Sequence, residues 1–129
     1  MIGDEPMAAP VEPGRGVIQP GAWSFVGHLV WTLPDLAPVF EEHLSDQGGT
    51  LLPHVFMADV ERWAESVVDA SPAIVEALLD ELAVGWLRGG DAVANLIEVS
   101  FVENLPYPDE PAVELRSMLP ASLAALLRH

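Results

Sequence analysis

Residues 91–105, D-A-V-A-N-L-I-E-V-S-F-V-E-N-L, constrain the fold more than any other stretch of the chain. Wound as a helix, the stretch confines Asp91, Asn95 and Glu98 to one narrow stripe. Val93, Ala94, Leu96, Ile97, Val99, Ser100 and Phe101 cover most of the remaining circumference. A helix lying on the surface of a domain needs an apolar face of roughly 100° or a little more; this one shows about twice that. More than one neighbour must cover it, which predicts a central helix surrounded by others. Val99-Ser100-Phe101-Val102 is rich in β-favouring residues, so a buried strand is the alternative. The length and the polar spacing favour the helix, and Pro106 and Pro108 impose its end.

The neighbours are legible from the same kind of pattern. Thr32 followed by Pro34 and Asp35 reads as a helix start, and Leu36, Val39, Phe40, His43 and Leu44 mark the inner side of a helix over 34–46 that Gln47-Gly48-Gly49 ends. A second helix is expected over 54–69, with Phe56, Met57, Val60, Trp63, Ala64, Val67 and Val68 inward and Asp59, Arg62, Glu65, Ser66 and Asp69 in water. A third starts at Ser71-Pro72 and stops at Gly89-Gly90, burying Ile74, Val75, Leu78, Leu79, Leu82 and Trp86. Gly85 lies inside it and costs about 1 kcal/mol relative to Ala, which a close helix crossing would explain. After the P-Y-P-D-E turn at 106–110, helical segments are expected over 111–118 and 121–128. Loops this short imply antiparallel neighbours. The expected architecture is all-α: an irregular bundle of about five antiparallel helices forming one domain over 23–129. Residues 1–22, rich in Pro and Gly, read as a flexible arm. W-S-F-V-G-H-L-V-W at 23–31 reads as a short strand or short helix docked on the body. Trp31, Trp63 and Trp86 are assigned to the core and Trp23 to the surface.

Twenty acidic residues face five basic ones, all Arg, giving a formal net charge of -15. Such a field repels phosphate backbones and anionic membranes, so neither nucleic acid nor a membrane is an expected partner. It attracts a basic protein and accelerates its association. With no Cys among 129 residues, disulfides, thiolate zinc sites and thiol catalysis are excluded. The acidic start M-I-G-D-E-P-M is unlike a secretory signal, and no apolar run approaches a membrane span. A cytoplasmic location is the expectation.

Chemistry is hard to find in this chain. His28, His43, His54 and His129 lack a second His or a carboxylate at metalloenzyme spacing. Glu76, Asp80 and Glu81 sit on adjacent turns, but no loop carries a calcium-binding ladder. The nucleophile elbow and the phosphate-binding loop are both missing from the sequence. No catalytic residue, metal ligand or cofactor site is therefore assigned, and the expectation is a protein that is not an enzyme. What remains is recognition. Two polar surfaces are candidates: the stripe Asp91, Asn95 and Glu98 with Asn104, Tyr107, Asp109 and Glu110 beyond it, and the acidic outer side of the two preceding helices, Asp59, Glu61, Glu65, Asp69, Glu76 and Asp80. The partner-binding set drawn from them is Asp59, Glu65, Asp91, Asn95, Glu98, Asn104, Tyr107 and Asp109. Tyr107 is included because aromatic groups anchor polar interfaces.

Two segments, LLPHVFMADVERW at 51–63 and IEVSFVENLP at 97–106, resemble the recurring marks of a family of small, acidic, uncharacterised bacterial helical proteins. The marks are His54, Asp59, Arg62, Trp63, Ser100, Glu103, Asn104 and Pro106, and the resemblance spans about residues 33–128. It implies a helical fold and no specific activity. Some such proteins look like immunity partners of polymorphic toxins. The functional expectation is a non-catalytic acidic module that binds a basic protein, with an immunity-type inhibitor of a basic toxin as its sharpest form. The alternative is a structural or homo-oligomerisation domain.

Overall fold

Two of the three longest helices, α3 (Pro53–Val67) and α4 (Pro72–Arg88), begin on a proline, where a missing N–H is no loss and the fixed φ suits the first turn. The other is α1 (Pro20–Thr32). A computed structural model describes residues 20–127. Residues 1–19 of the Pro/Gly-rich arm, and 128–129 with His129, lie outside them. Between the long helices come a 3-10 turn at Pro34–Leu36 and α2 (Ala37–Asp46). After them come α5 (Asp91–Ser100), a second 3-10 turn at Val102–Asn104, α6 (Glu114–Ser117) and α7 (Ala121–Ala124). No β-strand occurs among the described residues. The fold is an all-α, irregular multi-helix bundle.

The prediction that one helix would be wrapped by the others holds. α5 packs against α1, α3 and α4, and Val93, Leu96 and Ile97 are buried there with Phe101 just beyond. Val99 is the exception among the apolar positions: it is exposed, so the covered face is narrower than the sequence suggests. The helix also ends earlier than the expected residue 105. Phe101 and Val102 are both buried, and the chain tightens into a 3-10 turn that turns both inward. Asn104 donates its side-chain N–H to the Ser100 carbonyl at 2.9 Å, satisfying one of the acceptors that a helix end leaves open.

Two glycines set how α1 and α4 meet. Gly21 lies against Gly89, Phe25 against Gly85, and His28 bonds to Glu81 at 2.8 Å. The numbers rise on one helix as they fall on the other, so the pair is antiparallel and closely approached. A Cβ at Gly85 would stand 2.5 Å from Phe25 Cε1 and 3.2 Å from Ile97 Cδ1. This is the close crossing that the glycine implies.

Several details differ from the expectations. The 23–31 segment is helical, and α1 begins three residues before it. Thr32 ends α1, and the break before α2 falls at Leu33–Leu36. Ser71 sits at the head of α4, but its carbonyl, not its hydroxyl, takes the first amide bonds. Gly90, with φ 88°, precedes α5, and Asp91 is the first helical residue. There its carboxylate lies favourably against the helix dipole. The two C-terminal helices are four residues each, shorter than the pattern implied. Trp31, assigned to the core, is 86% exposed. It lies on the side of α1 away from α4 and α5, and no element among the described residues covers it. Trp63 and Trp86 are half-buried and pack on the core, and Trp23 is 61% exposed, as expected.

Candidate functional site

Positions 39, 42 and 46 fall on one face of α2, and 59, 62, 63 and 66 on one face of α3, by helical spacing alone. The two helices pack together, and these faces enclose a groove of about 410 Å³ lined by Val39, Glu42, Asp46, Asp59, Arg62, Trp63 and Ser66. Three carboxylates line it against one guanidinium, with an indole in the wall. Arg62 pairs with Asp59 one turn earlier on the same helix. Ser66 donates its hydroxyl to the Trp63 carbonyl at 2.7 Å.

The groove rests on a fully buried histidine. His43 Nε2 accepts the Leu52 backbone N–H at 3.1 Å, which requires the neutral ring to carry its proton on Nδ1. That nitrogen faces Asp59 Oδ2 at 3.4 Å, an electrostatic contact longer than a well-formed hydrogen bond. Phe56 packs edge-on against the imidazole, with ring centroids 5.6 Å apart. Asp59 is thus held from behind by His43 and from the side by Arg62, while its side chain remains 25% exposed toward the groove. Asp59 is a positioned carboxylate, in contrast to a freely solvated one.

Deeper along α3 lies a second acid that sequence reasoning placed in water. Glu61 is only 2% exposed. Burial, then the hydrogen bond and charge of Glu65 one turn on, push its carboxyl up to about 9, with Arg62 opposing. Burial thus favours the neutral form of the Glu61 carboxyl, with Glu65 as its hydrogen-bond partner. One Glu61 oxygen, Oε2, has no partner. The amphipathic pattern failed here because α3 is covered by both α2 and α5, so part of its polar side is also interior.

The remaining expected residues are distributed as follows. Glu65 is half-buried beside Glu61. Asp91 and Asn95 are exposed on α5, and Glu98 is half-buried and engaged in an interaction. Asn104 lies past the end of α5, caps it, and so does not extend the stripe on the same helix. Tyr107 and Asp109 are exposed in the following turn, where the Tyr107 N–H donates to Glu110 Oε1 at 2.7 Å. Of the eight residues, Asp59 alone lines the groove. Glu42 and Asp46 were missed. Their signal was the i, i+4 acid pair on α2, on the face presented to Asp59 and Trp63. Among the described residues, no three His, Asp or Glu side chains gather closely enough to hold a metal ion. No helix among them is long and apolar enough to cross a membrane.

The two segments that carry the family resemblance meet in space. His54 Nδ1 and Ser100 Oγ are joined by a 2.6 Å hydrogen bond, and Ser100 is the residue whose carbonyl Asn104 caps. Arg116 reaches the Pro106 carbonyl at 3.4 Å. His54, Ser100, Asn104 and Pro106 therefore tie α3, α5 and the C-terminal segment together, whereas Asp59, Arg62 and Trp63 face the groove. No curated protein and no solved structure matches the chain. A family profile matches residues 27–129, the span that holds α2 to α7 and both segments, and by that match the chain belongs to the helical family described as domain of unknown function DUF7674.

Proposed function

We propose that this protein is a binding module for a basic protein, and that the α2/α3 groove receives a cationic side chain of that partner. The observation that carries this reading is the groove itself: Glu42, Asp46 and the braced Asp59 against a single Arg62, with Trp63 in the wall. Carboxylates and an aromatic face are the two features that hold a guanidinium or ammonium. Arg62 already pairs with Asp59, so Glu42 and Asp46 are the carboxylates offered to an incoming cation. The net charge of -15 adds long-range steering toward a positive surface. In its sharpest form the reading is a cytoplasmic, immunity-type inhibitor of a basic bacterial toxin, such as a nuclease.

A labelled Arg-Gly-Arg-Gly-Arg peptide, titrated by fluorescence anisotropy at about 50 mM and about 500 mM salt, tests the groove. The expected result is binding that weakens strongly with salt and drops about tenfold in the Glu42→Gln/Asp46→Asn variant, equivalent to about 1.4 kcal/mol. Equal binding by wild type and variant sinks the groove as a cation site. The immunity form is tested by co-expression with a basic toxin gene from the same host neighbourhood: growth must be restored by the wild type and less well by the variant.

A further inference from the structure

On the side of α1 turned away from α4 and α5 lies an apolar groove of about 570 Å³. It is bounded by Trp23, Val30, Trp31, Pro34, Ala37, Phe40 and Leu51, with Gly27 among its lining residues. We propose that it docks an amphipathic helix of the same basic partner, apolar side inward. The inference rests on the basic-partner reading above and adds a second surface to it.

Three observations support an occupant. Trp31 and Trp23 are 86% and 61% exposed on one side of one helix, although adjacent exposed aromatics of this size mark interaction surfaces and Trp is the residue most often dominant in them. Gly27 is the second. A mid-helix glycine destabilises the helix by about 1 kcal/mol relative to Ala, and at Gly85 the ring of Phe25 demands it. At Gly27 a Cβ would meet nothing within 4 Å. Packing among the described residues does not require this glycine, whereas close approach of a partner would use it. The third is the lining: Trp23, Val30, Trp31, Phe40 and Leu51 make the surface almost wholly apolar, which suits helix-in-groove docking with anchors at i, i+3 or i+4, and i+7.

Charge selects the occupant. Asp35 adjoins Pro34 and is exposed; Glu41 follows Phe40, lies one turn after Ala37, and is also exposed. Neither lines the groove itself, but each follows a lining residue in the sequence and brings negative charge close to it. A second copy of this chain would bring the same acids to a self-complementary contact, with -15 on each protomer. Residues 1–19 carry Asp4, Glu5 and Glu12 against Arg15, so they too are net negative. A helix with an apolar stripe flanked by Lys or Arg satisfies both the groove and its rim.

The test uses the full chain and a designed peptide of about 18 residues, Leu at helical i, i+3, i+4 and i+7 positions and Lys elsewhere. Controls are the same peptide with Gln for Lys, and a scrambled Leu/Lys order without a stripe. A Cβ at Gly27 meets nothing within 4 Å and Leu improves helix propensity, so Gly27→Leu is expected to keep the fold, which a circular dichroism melt verifies. Expected is binding of the striped Leu/Lys peptide that falls at least about tenfold in Gly27→Leu and in Trp31→Ala, and stays within about twofold in Ala73→Ser, an exposed position on α4 outside both grooves. Binding indifferent to Gly27→Leu overturns the groove and leaves the basic-partner reading standing. A Leu/Gln peptide that binds as tightly, and is still lost in Gly27→Leu, overturns the basic partner as the occupant. A wild-type dimer in light scattering that Gly27→Leu dissolves assigns the groove to a second copy. Tighter peptide binding after deletion of residues 1–19 assigns it to the chain's own N-terminal segment. Either of these results also overturns the proposal.

Discussion

Replacing Gly85 by Ala separates two physical effects that point in opposite directions. Helix propensity favours Ala by about 1 kcal/mol at an interior position, so α4 taken alone predicts a more stable protein. Packing predicts the reverse. The new Cβ would lie 2.5 Å from Phe25 Cε1, 2.7 Å from Phe25 Cζ and 3.2 Å from Ile97 Cδ1, whereas carbon atoms rest about 3.5–4.0 Å apart. Phe25 must shift by roughly 1 Å inside a packed crossing, and overpacking of this kind destabilises by about 1–3 kcal/mol. The expected balance is a loss of about 1 kcal/mol, seen as a lower urea midpoint with unchanged slope and a melting temperature lower by about 4 °C. The diagnostic measurement is a double-mutant cycle with Phe25→Leu, which removes the two ring atoms that collide. Gly85→Ala should destabilise the wild type but stabilise the Phe25→Leu background, a coupling of about 1 kcal/mol or more. An increase in stability in the wild type, or strict additivity in the cycle, would show that the α1/α4 approach is not as close as described.

Stability should fall as pH rises through the neutral range. Glu61 has its carboxyl raised from 4.5 to about 9 by burial and by Glu65, so between those values the folded state holds a proton that the unfolded state has released. The unfolding free energy therefore decreases with pH in this window, by up to about 1.4 kcal/mol per unit for this one group. Urea titrations at several pH values should show the slope, and Glu61→Gln should flatten it; an unchanged slope would mean that another group is responsible. His54→Ala removes the partner of the buried Ser100 hydroxyl and should lower stability by about 1 kcal/mol, with amide exchange accelerated at the end of α5. Loss confined to the start of α3 would show that the bond does not couple the two helices.

How far the sequence reached follows from which forces act locally. Helix positions came from the 3.6-residue recurrence of apolar groups and from Pro and Gly at the ends, both properties of short stretches of chain. The wide apolar face of residues 91–105 implies a wrapped helix, and Gly85 inside α4 fits a close crossing, from the sequence alone. The net charge and the missing thiols limited the possible chemistry in the same way. Tertiary structure decided the rest, because burial depends on what lies opposite a residue. Glu61 reads as a surface acid on an amphipathic helix and is interior because α3 has neighbours on two sides. Trp31 reads as core and is 86% exposed because no element among the described residues closes over it. The helix after Asp91 stops at Ser100 since Phe101 and Val102 must both turn inward. The acidic groove requires Glu42 and Asp46 to face Asp59 and Trp63 from a different helix, a relation set by packing between elements distant along the chain.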